Sequence, residues 1–198
     1  MTDLYHPGNR QLQDQFDSRR IADRLASFAR TEFTAEDRAF IEGLPYFFLA
    51  TVDAEGRPDC SFKGGPPGFL RITGPGELAF PDYDGNGMFK SLGNVLANPA
   101  VGLLFIAMHG RPQRLRVSGS ATVSRDDPLL AWTVGAQLIV RVAVRAIFAN
   151  CPRYIPSMQL VEPSAYAPQP GCEPPEPAWK TFPEFRGDVP PRRPTFKG

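Results

Sequence analysis

The feature of this sequence that most limits its fold is an alternation of apolar and other side chains in two long stretches. In the first stretch the apolar positions are Leu115, Val117, Ala121 and Val123. In the second they are Leu138, Val140, Val142, Val144 and Phe148. A period of two puts alternate side chains on opposite faces of a strand. Each stretch therefore predicts a strand with one core face and one face that is partly solvated or meets a partner.

Shorter apolar or β-branched runs, separated by turn residues, predict further strands at 46–52, 58–62, 69–72, 78–80 and 101–107. At least six strands with few helices and tight turns indicate a closed antiparallel barrel, because closure removes exposed edges. The predicted fold class is mainly β (α+β), with the barrel domain at 46–162.

The segments on either side of the barrel differ from it. Residues 1–45 are predicted to be helical from the spacing of apolar residues, and Thr34 with Asp37 resembles a capping box that opens a short helix. Ten of the 22 prolines lie after residue 162, so residues 163–198 predict an extended tail. Its aromatic residues indicate that the tail packs on the barrel or on a partner subunit: Trp179, Phe182, Phe185 and Phe196.

Composition excludes several classes of protein. With 22 Lys and Arg against 21 Asp and Glu, the chain has no overall field to attract nucleic acid or an anionic membrane. The longest apolar run, residues 100–108, is far shorter than the ~20 residues that span a bilayer. Residues 1–10 hold no apolar core of a secretory signal, so we expect a cytoplasmic protein. Three cysteines without C-x-x-C spacing and two histidines predict no metal site, and Cys60 is expected to be buried in its strand.

Residues 84–91 carry the strongest signal for a binding site. Two glycines in the turn 84–87 leave backbone N–H groups accessible before a helix predicted at 88–97, and such a corner attracts anions. Lys90 and Ser91 lie in the first helical turn, and Ser61 and Lys63 end a neighbouring strand. Arg114 belongs to another nearby strand. The same residues are also typical of an ordinary turn with solvated cations.

The order of these elements matches a known family. From Phe47 to about Ile155 the chain resembles the pyridoxamine 5′-phosphate oxidase-related, FMN-binding split-barrel proteins. The resemblance is carried by LATVD (49–53), GRP (56–58), SFKGG (61–65), PPGF (66–69), FPDYDGN (80–86), SLGN (91–94), NP (98–99), GLLF (102–105) and RLRVSG (114–119).

This resemblance implies a six-stranded antiparallel split barrel that forms a homodimer, with FMN in a cleft between the subunits. It implies that eight residues contact the cofactor: Ser61, Lys63, Pro81, Asp82, Asn86, Lys90, Ser91 and Arg114. Lys90 and Ser91 would hold the phosphate, with Asn86 nearby. Pro81 and Asp82 would touch the ring system through their backbone.

The resemblance also indicates an oxidoreductase in which a small reduced substrate passes hydride to flavin N5, with Lys63 and Arg114 stabilising charge on the reduced ring. No side chain is identified as a catalytic acid or base. The oxidase itself has a tryptophan followed by an Arg-Leu-His-type motif, whereas this chain has no histidine after His109, so strict pyridoxamine phosphate oxidation is not predicted. The alternatives are a non-catalytic flavin-binding dimer that serves as a sensor or carrier, or a split barrel that uses F420 or haem.

Overall fold

The computed structural model describes residues 4–190. Within these residues the helices are α1 (Pro7–Gln15), α2 (Arg19–Ala26), α3 (Ala35–Gly43) and α4 (Lys90–Ala97). The strands are β1 (Tyr46–Val52), β2 (Pro58–Gly64), β3 (Arg71–Gly74), β4 (Glu77–Tyr83), β5 (Ala100–Ala107), β6 (Gln113–Ser124) and β7 (Ala136–Ala149). Residues 191–198 of the predicted tail, including Phe196, lie outside the described residues.

The strands form one antiparallel sheet in the order β2-β1-β5-β6-β7-β4-β3. The sheet curls around a core whose largest fully buried side chains include Phe47, Phe80 and Phe105. The ring of Phe47 lies 4.9 Å from that of Phe80 and 5.5 Å from that of Phe105, centroid to centroid. Strands β1, β4 and β5 therefore meet through aromatic packing inside the curled sheet, which is where most of the hydrophobic stabilisation arises.

The structure confirms a mainly β, antiparallel split barrel, with seven paired strands in the described residues rather than six. The expectation of full closure is wrong, because the two edge strands β2 and β3 do not pair with each other anywhere in residues 4–190. Pro81 removes a backbone N–H donor from β4 beside the gap, and β3 is only four residues long. The gap is instead spanned by side chains, with Lys63 Nζ 4.0 Å from Asp82 Oδ1.

In the last strand, β7, the alternation of buried and exposed side chains is shifted by one residue near the end. Ser118 of β6 pairs with Ala146 of β7, but the next residue, Gly119, pairs with Val144, so Arg145 is the extra residue of a bulge. Ile147 is consequently fully buried, whereas Phe148, which the strict alternation predicts in the core, is half-buried. A single inserted residue moves every later side chain to the other face of the sheet.

The N-terminal segment contains helices, as its periodicity predicts. The capping box of α3 is present, since the Asp37 N–H donates to Thr34 Oγ1 and the Thr34 N–H donates to Asp37 Oδ2. Helices α1 and α2 contain no buried residue. The large apolar side chains of these helices and of the residues that follow each helix are more than half exposed: Leu12, Phe16, Ile21, Leu25 and Phe28.

From the end of β7 to residue 190 the polypeptide is mostly irregular, with two short 3₁₀ helices at Ala178–Thr181 and Pro183–Phe185. In the described part of the chain, no helix has the length and apolar character needed to cross a bilayer. The prediction that Cys60 is buried is wrong, because it is exposed. Cys60 lies on edge strand β2, where alternate side chains point away from the core.

Candidate functional site

A cavity of about 550 Å³ lies in the gap of the barrel, between β2, the end of β4 and the start of α4. Seven of the eight predicted cofactor contacts line it: Ser61, Lys63, Pro81, Asp82, Asn86, Lys90 and Ser91. They come from three separate parts of the sequence. Ser61 and Lys63 share one face of β2 with Asp59, because side chains two apart in a strand point the same way.

The start of α4 forms one end of the cavity. Phe89 precedes the helix in the left-handed conformation, with φ of 47°, and has no side-chain oxygen to cap the first turn. The first N–H groups of a helix have no acceptor within the helix, so they favour an anion there. Gly87, with φ of 75°, makes the turn that leads into this corner. Lys90 is exposed and Ser91 is buried.

Three polar side chains connect α4 to β2 at this end. Ser91 Oγ lies 3.0 Å from Asp59 Oδ2 and 3.0 Å from Ser61 Oγ. A carboxylate accepts hydrogen bonds and a hydroxyl both donates and accepts. The contacts therefore form a continuous chain in which Ser91 is the central member. Ser91 thereby ties the first turn of α4 to the edge strand.

Asp82, near the end of β4, is a half-buried carboxylate of the cavity lining. Burial raises the pKa of its carboxyl, while a hydrogen bond from Gln137 and the Lys63 cation act in the other direction. Gln137 Nε2 donates to Asp82 Oδ2 at 2.9 Å and to the Tyr83 carbonyl at 3.0 Å. Burial also raises the pKa of the Tyr83 phenol, so it remains a neutral side chain at physiological pH.

The tail supplies the remaining wall. Trp179, Lys180, Val189 and Pro190 all line the cavity. The Lys180 side chain is only 7% exposed, and its ammonium forms an ion pair with Asp84 on the loop before α4. Trp179 packs edge-on against Phe185, with ring centroids 5.7 Å apart. Residues 178–190 thus fold back against the barrel instead of leaving it.

Arg114 is the predicted contact that does not line this cavity in the described chain. It pairs with Ile106 across β5 and β6, whereas the neighbouring pair of Leu115 and Phe105 faces the core. Arg114 therefore lies on the outer face of the sheet. Its Nη2 donates to the Cys151 carbonyl at 2.9 Å, and its buried Nε has no partner among the described residues.

The two histidines also lie away from the cavity. His6 caps α1 through Nδ1, which accepts from the Gly8 N–H, and His109 forms an isolated β-bridge with Met158. Neither belongs to the cavity lining in residues 4–190. An imidazole-ligated haem in the cavity of one chain does not fit these positions.

Several residues of the cavity were not identified from the sequence, among them Asp59, Gln137, Trp179 and Lys180. Asp59 could have been found, because it is two and four positions before Ser61 and Lys63 in one strand. Gln137 begins the long alternating stretch and gives no local signal. Trp179 and Lys180 reach the cavity from a segment whose path the sequence does not specify.

The donors of the cavity suit the flavin that the resemblance implies. The phosphate end offers the hydroxyls of Ser61 and Ser91, the Lys90 ammonium and the helix start, and the volume falls within the range of small-molecule sites. Among the described residues, the charged side chains of the lining are nonetheless balanced, three of each sign: Lys63, Lys90 and Lys180 against Asp59, Asp82 and Asp84. This part of the lining is thus not strongly basic, and an anion must be held by local groups.

Comparison with known proteins gives one extended match. The sequence model of the family described as pyridoxamine 5′-phosphate oxidase matches residues 33–162. No curated protein matches the chain.

Three solved structures are among those similar to this chain. An FMN-binding protein from Syntrophomonas wolfei is 8% identical, with 71% of this chain and 97% of that chain covered and a TM-score of 0.49. HupZ of Group A Streptococcus is 18% identical, with 59% and 93% covered and a TM-score of 0.48. HutZ, the heme storage protein of Vibrio cholerae, is 17% identical, with 60% and 94% covered and a TM-score of 0.44. At these values none of the three bears on the ligand of this chain.

Proposed function

The chain belongs to the pyridoxamine 5′-phosphate oxidase family, and from this premise we propose that it is an FMN-binding oxidoreductase in which a small reduced substrate passes hydride to the flavin. The observation that carries the proposal is the convergence of seven predicted cofactor contacts on one cavity from β2, β4 and α4. Residues so distant in sequence meet there because the barrel is split at that point.

The phosphate would be held at the start of α4. Lys90 contributes a cation and Ser91 a hydroxyl, and both lie in the turn whose N–H groups point out of the helix. Ser61 adds a second hydroxyl from β2, 3.0 Å from that of Ser91. This combination of hydroxyls, one ammonium and backbone donors suits a phosphate monoester.

A bound flavin supplies a hydride acceptor at N5, and the protein supplies position, charge and exclusion of water. Lys63 is the cation best placed to stabilise negative charge on a reduced ring, because Asp82 and the β2 backbone keep it inside the gap. Gln137 holds the Asp82 carboxylate. Trp179 and Pro190 cover this side of the cavity and limit access by water.

A homodimer belongs to the same proposal. Arg114 is predicted to reach a flavin but lies on the outer face of the sheet, so it could contact only a flavin held by a second copy. The same face carries an aromatic cluster of Tyr46, Phe48 and Phe62, and Phe62 is 63% exposed. An exposed aromatic cluster beside an arginine is typical of a protein interface.

The flavin proposal is tested on the purified full-length protein. We expect a yellow protein with a flavin visible spectrum, and release of a compound with the mass of FMN on denaturation. A deazaflavin or haem spectrum would mean that the protein binds that cofactor instead of FMN. A colourless protein that does not bind added FMN would overturn the proposal.

Catalysis needs a separate measurement. We expect NADH, NADPH or another small reductant to bleach the bound flavin under anaerobic conditions, with pyridoxamine phosphate less effective than the best of them. Absence of reduction by every reductant tried would favour the alternative of a non-catalytic sensor or carrier. A cytoplasmic location is part of the proposal, and cell fractionation tests it.

The proposed homodimer is tested with a variant of its own. Phe62→Lys places a charge in the aromatic cluster, so we expect a protein that is dimeric in the wild type to become monomeric in sedimentation experiments. Thr122→Lys, a substitution on β6 away from the cluster, is the matched control and should remain dimeric. A monomeric wild type would contradict this part of the proposal.

A further inference from the structure

Asp59 occupies an unexpected position for a phosphate site. Its carboxylate lies 3.0 Å from the hydroxyl of Ser91, the residue proposed to hold the phosphate. A phosphate oxygen that accepts a hydrogen bond from Ser91 would come close to this carboxylate. Two negative charges at such a separation near a protein surface repel each other appreciably.

The hydroxyl protons at this end are already engaged. Ser91 has one proton and the carboxylate of Asp59 can only accept, so that proton is donated to Asp59. The 3.0 Å contact between Ser61 and Ser91 is then made by the proton of Ser61. A bound phosphate must take the Ser91 proton away from Asp59, which leaves a carboxylate without this donor beside an anion.

Within residues 4–190, no cation pairs with Asp59 as cations pair with the other two cavity carboxylates. Asp82 lies 4.0 Å from Lys63 Nζ, and Asp84 is paired with Lys180. The described residues contain no ion pair to Asp59, and its carboxylate accepts a hydrogen bond from the Ser91 hydroxyl. Its charge is consequently available to act on a ligand.

We propose that Asp59 is a specificity-determining residue that lowers the preference of this cavity for a phosphorylated flavin over an unphosphorylated one. The doubly charged phosphate of FMN is disfavoured most, because a phosphate monoester carries about −1.5 to −2 charges at neutral pH. Riboflavin has no charge at that end and is unaffected. This inference rests on the proposed flavin site and concerns which charge the site accepts.

The experiment compares two ligands on the ligand-free full-length protein. Dissociation constants for FMN and riboflavin are measured by flavin fluorescence titration in the wild type and in Asp59→Asn. Asparagine keeps the size of the side chain, removes the charge and can donate to Ser91. We expect FMN to bind about tenfold more tightly to the variant, while the Kd for riboflavin changes by less than about threefold.

Glu55→Gln is the matched control, because it removes one negative charge from the exposed turn between β1 and β2. We expect it to leave the ratio of the two dissociation constants unchanged. Asp59→Ser, a second neutral substitution, should reproduce the gain, and thermal melting checks that each variant is folded.

The outcomes separate this inference from the proposed function. If the wild type binds neither flavin, the proposed function is wrong and the role of Asp59 falls with it. If the wild type binds flavin but both Asp59 variants keep the wild-type ratio, the role of Asp59 is wrong and the flavin site stands. A ratio that shifts equally in Glu55→Gln would also overturn it, since the effect would then come from overall charge.

Discussion

The cavity has two walls that are built differently. The barrel wall consists of residues on regular elements: Ser61, Lys63, Pro81, Asp82 and Ser91. The tail wall consists of residues on irregular chain and short 3₁₀ turns: Trp179, Lys180, Val189 and Pro190. A hydrogen-bonded sheet fixes the barrel wall, whereas a few side-chain contacts hold the tail wall. Sites that require accurate geometry are best placed on rigid elements, and adaptable contacts on loops.

Because the two walls are built differently, we expect them to have different roles. The barrel wall carries the groups proposed to bind the phosphate and to stabilise the ring. The tail wall covers the cavity and is attached by the ion pair between Lys180 and Asp84 and by the packing of Trp179 on Phe185. We therefore expect cofactor binding to depend mainly on the barrel wall, and access to the cavity mainly on the tail wall.

We expect the largest change in FMN affinity from substitutions in the barrel wall. Replacing Lys90 and Ser91 together by alanine removes an ammonium and a hydroxyl from the phosphate end. We expect this variant to lose about 2 kcal/mol of binding free energy, which corresponds to a Kd for FMN about 30-fold higher than that of the wild type. Fluorescence titration measures the change. The melting temperature should fall by only a few degrees, because the variant loses the buried Ser91 hydroxyl that connects α4 to β2 but keeps the rest of the fold.

Arg20→Ala is the control for this double variant, because it removes an exposed cation from α2, outside the cavity lining. It should leave the Kd for FMN unchanged. If the double variant binds FMN as tightly as the wild type, the phosphate does not lie at the start of α4.

A smaller effect is expected from the tail wall. Lys180→Met keeps the length of the side chain but removes the ion pair with Asp84. We expect the Kd for FMN to rise by no more than about threefold, because a pair with an exposed partner contributes little. Cleavage of the tail by a protease should become faster, as limited proteolysis followed by mass spectrometry would show.

Glu184→Gln, on the exposed 3₁₀ turn of the tail, is its control and should be cleaved at the wild-type rate. A tenfold loss of FMN affinity in Lys180→Met would mean that the tail wall holds the ligand as strongly as the barrel wall. That result would remove the distinction between the two walls.

The smallest expected effect is a change in stability with pH, and it depends on the carboxylate of Asp82 in the barrel wall. Burial raises the pKa of Asp82, so the folded protein holds the proton of this carboxyl to higher pH than the unfolded chain does. Its contribution to stability is full below its unfolded value of about 3.8 and is lost as the pH rises through the higher folded value. Asp82→Asn remains neutral and accepts from Gln137, so we expect its melting temperature to exceed the wild type at pH 7 and to approach it near pH 4.

Melting curves measured at several pH values test this sign. Asp126→Asn, on the exposed loop after β6, should give a curve parallel to that of the wild type. A variant that is less stable than the wild type at pH 7 would show that the pairing of Asp82 with Lys63 outweighs the cost of its burial.

Much of the barrel could be predicted from local patterns. The period-two alternation predicted β6 and β7 within two residues of their ends, and β1 matches its prediction at both ends. The helix expected from residue 88 begins two residues later, because Phe89 adopts a left-handed conformation. The bulge at Arg145 was not predicted, since one extra residue leaves the composition of a strand unchanged.

The candidate site was predictable where its residues share a strand or a helical turn. Ser61 with Lys63, and Lys90 with Ser91, are such pairs. Gln137 and Lys180 were missed because their proximity to the cavity depends on contacts across more than 50 residues of sequence, Gln137 with Asp82 and Lys180 with Asp84. Local patterns contain no information about such pairs.

The sequence by itself determined which segments become strands and which turn precedes α4, because backbone preferences and the alternation of side chains are local properties. Only the tertiary structure decided which strands border the gap of the barrel, that the tail forms part of the cavity wall, and that Arg114 faces away from the cavity. These outcomes follow from strand pairing order and from packing between distant segments. Such choices depend on the free energy of the whole fold and not on any one stretch of it.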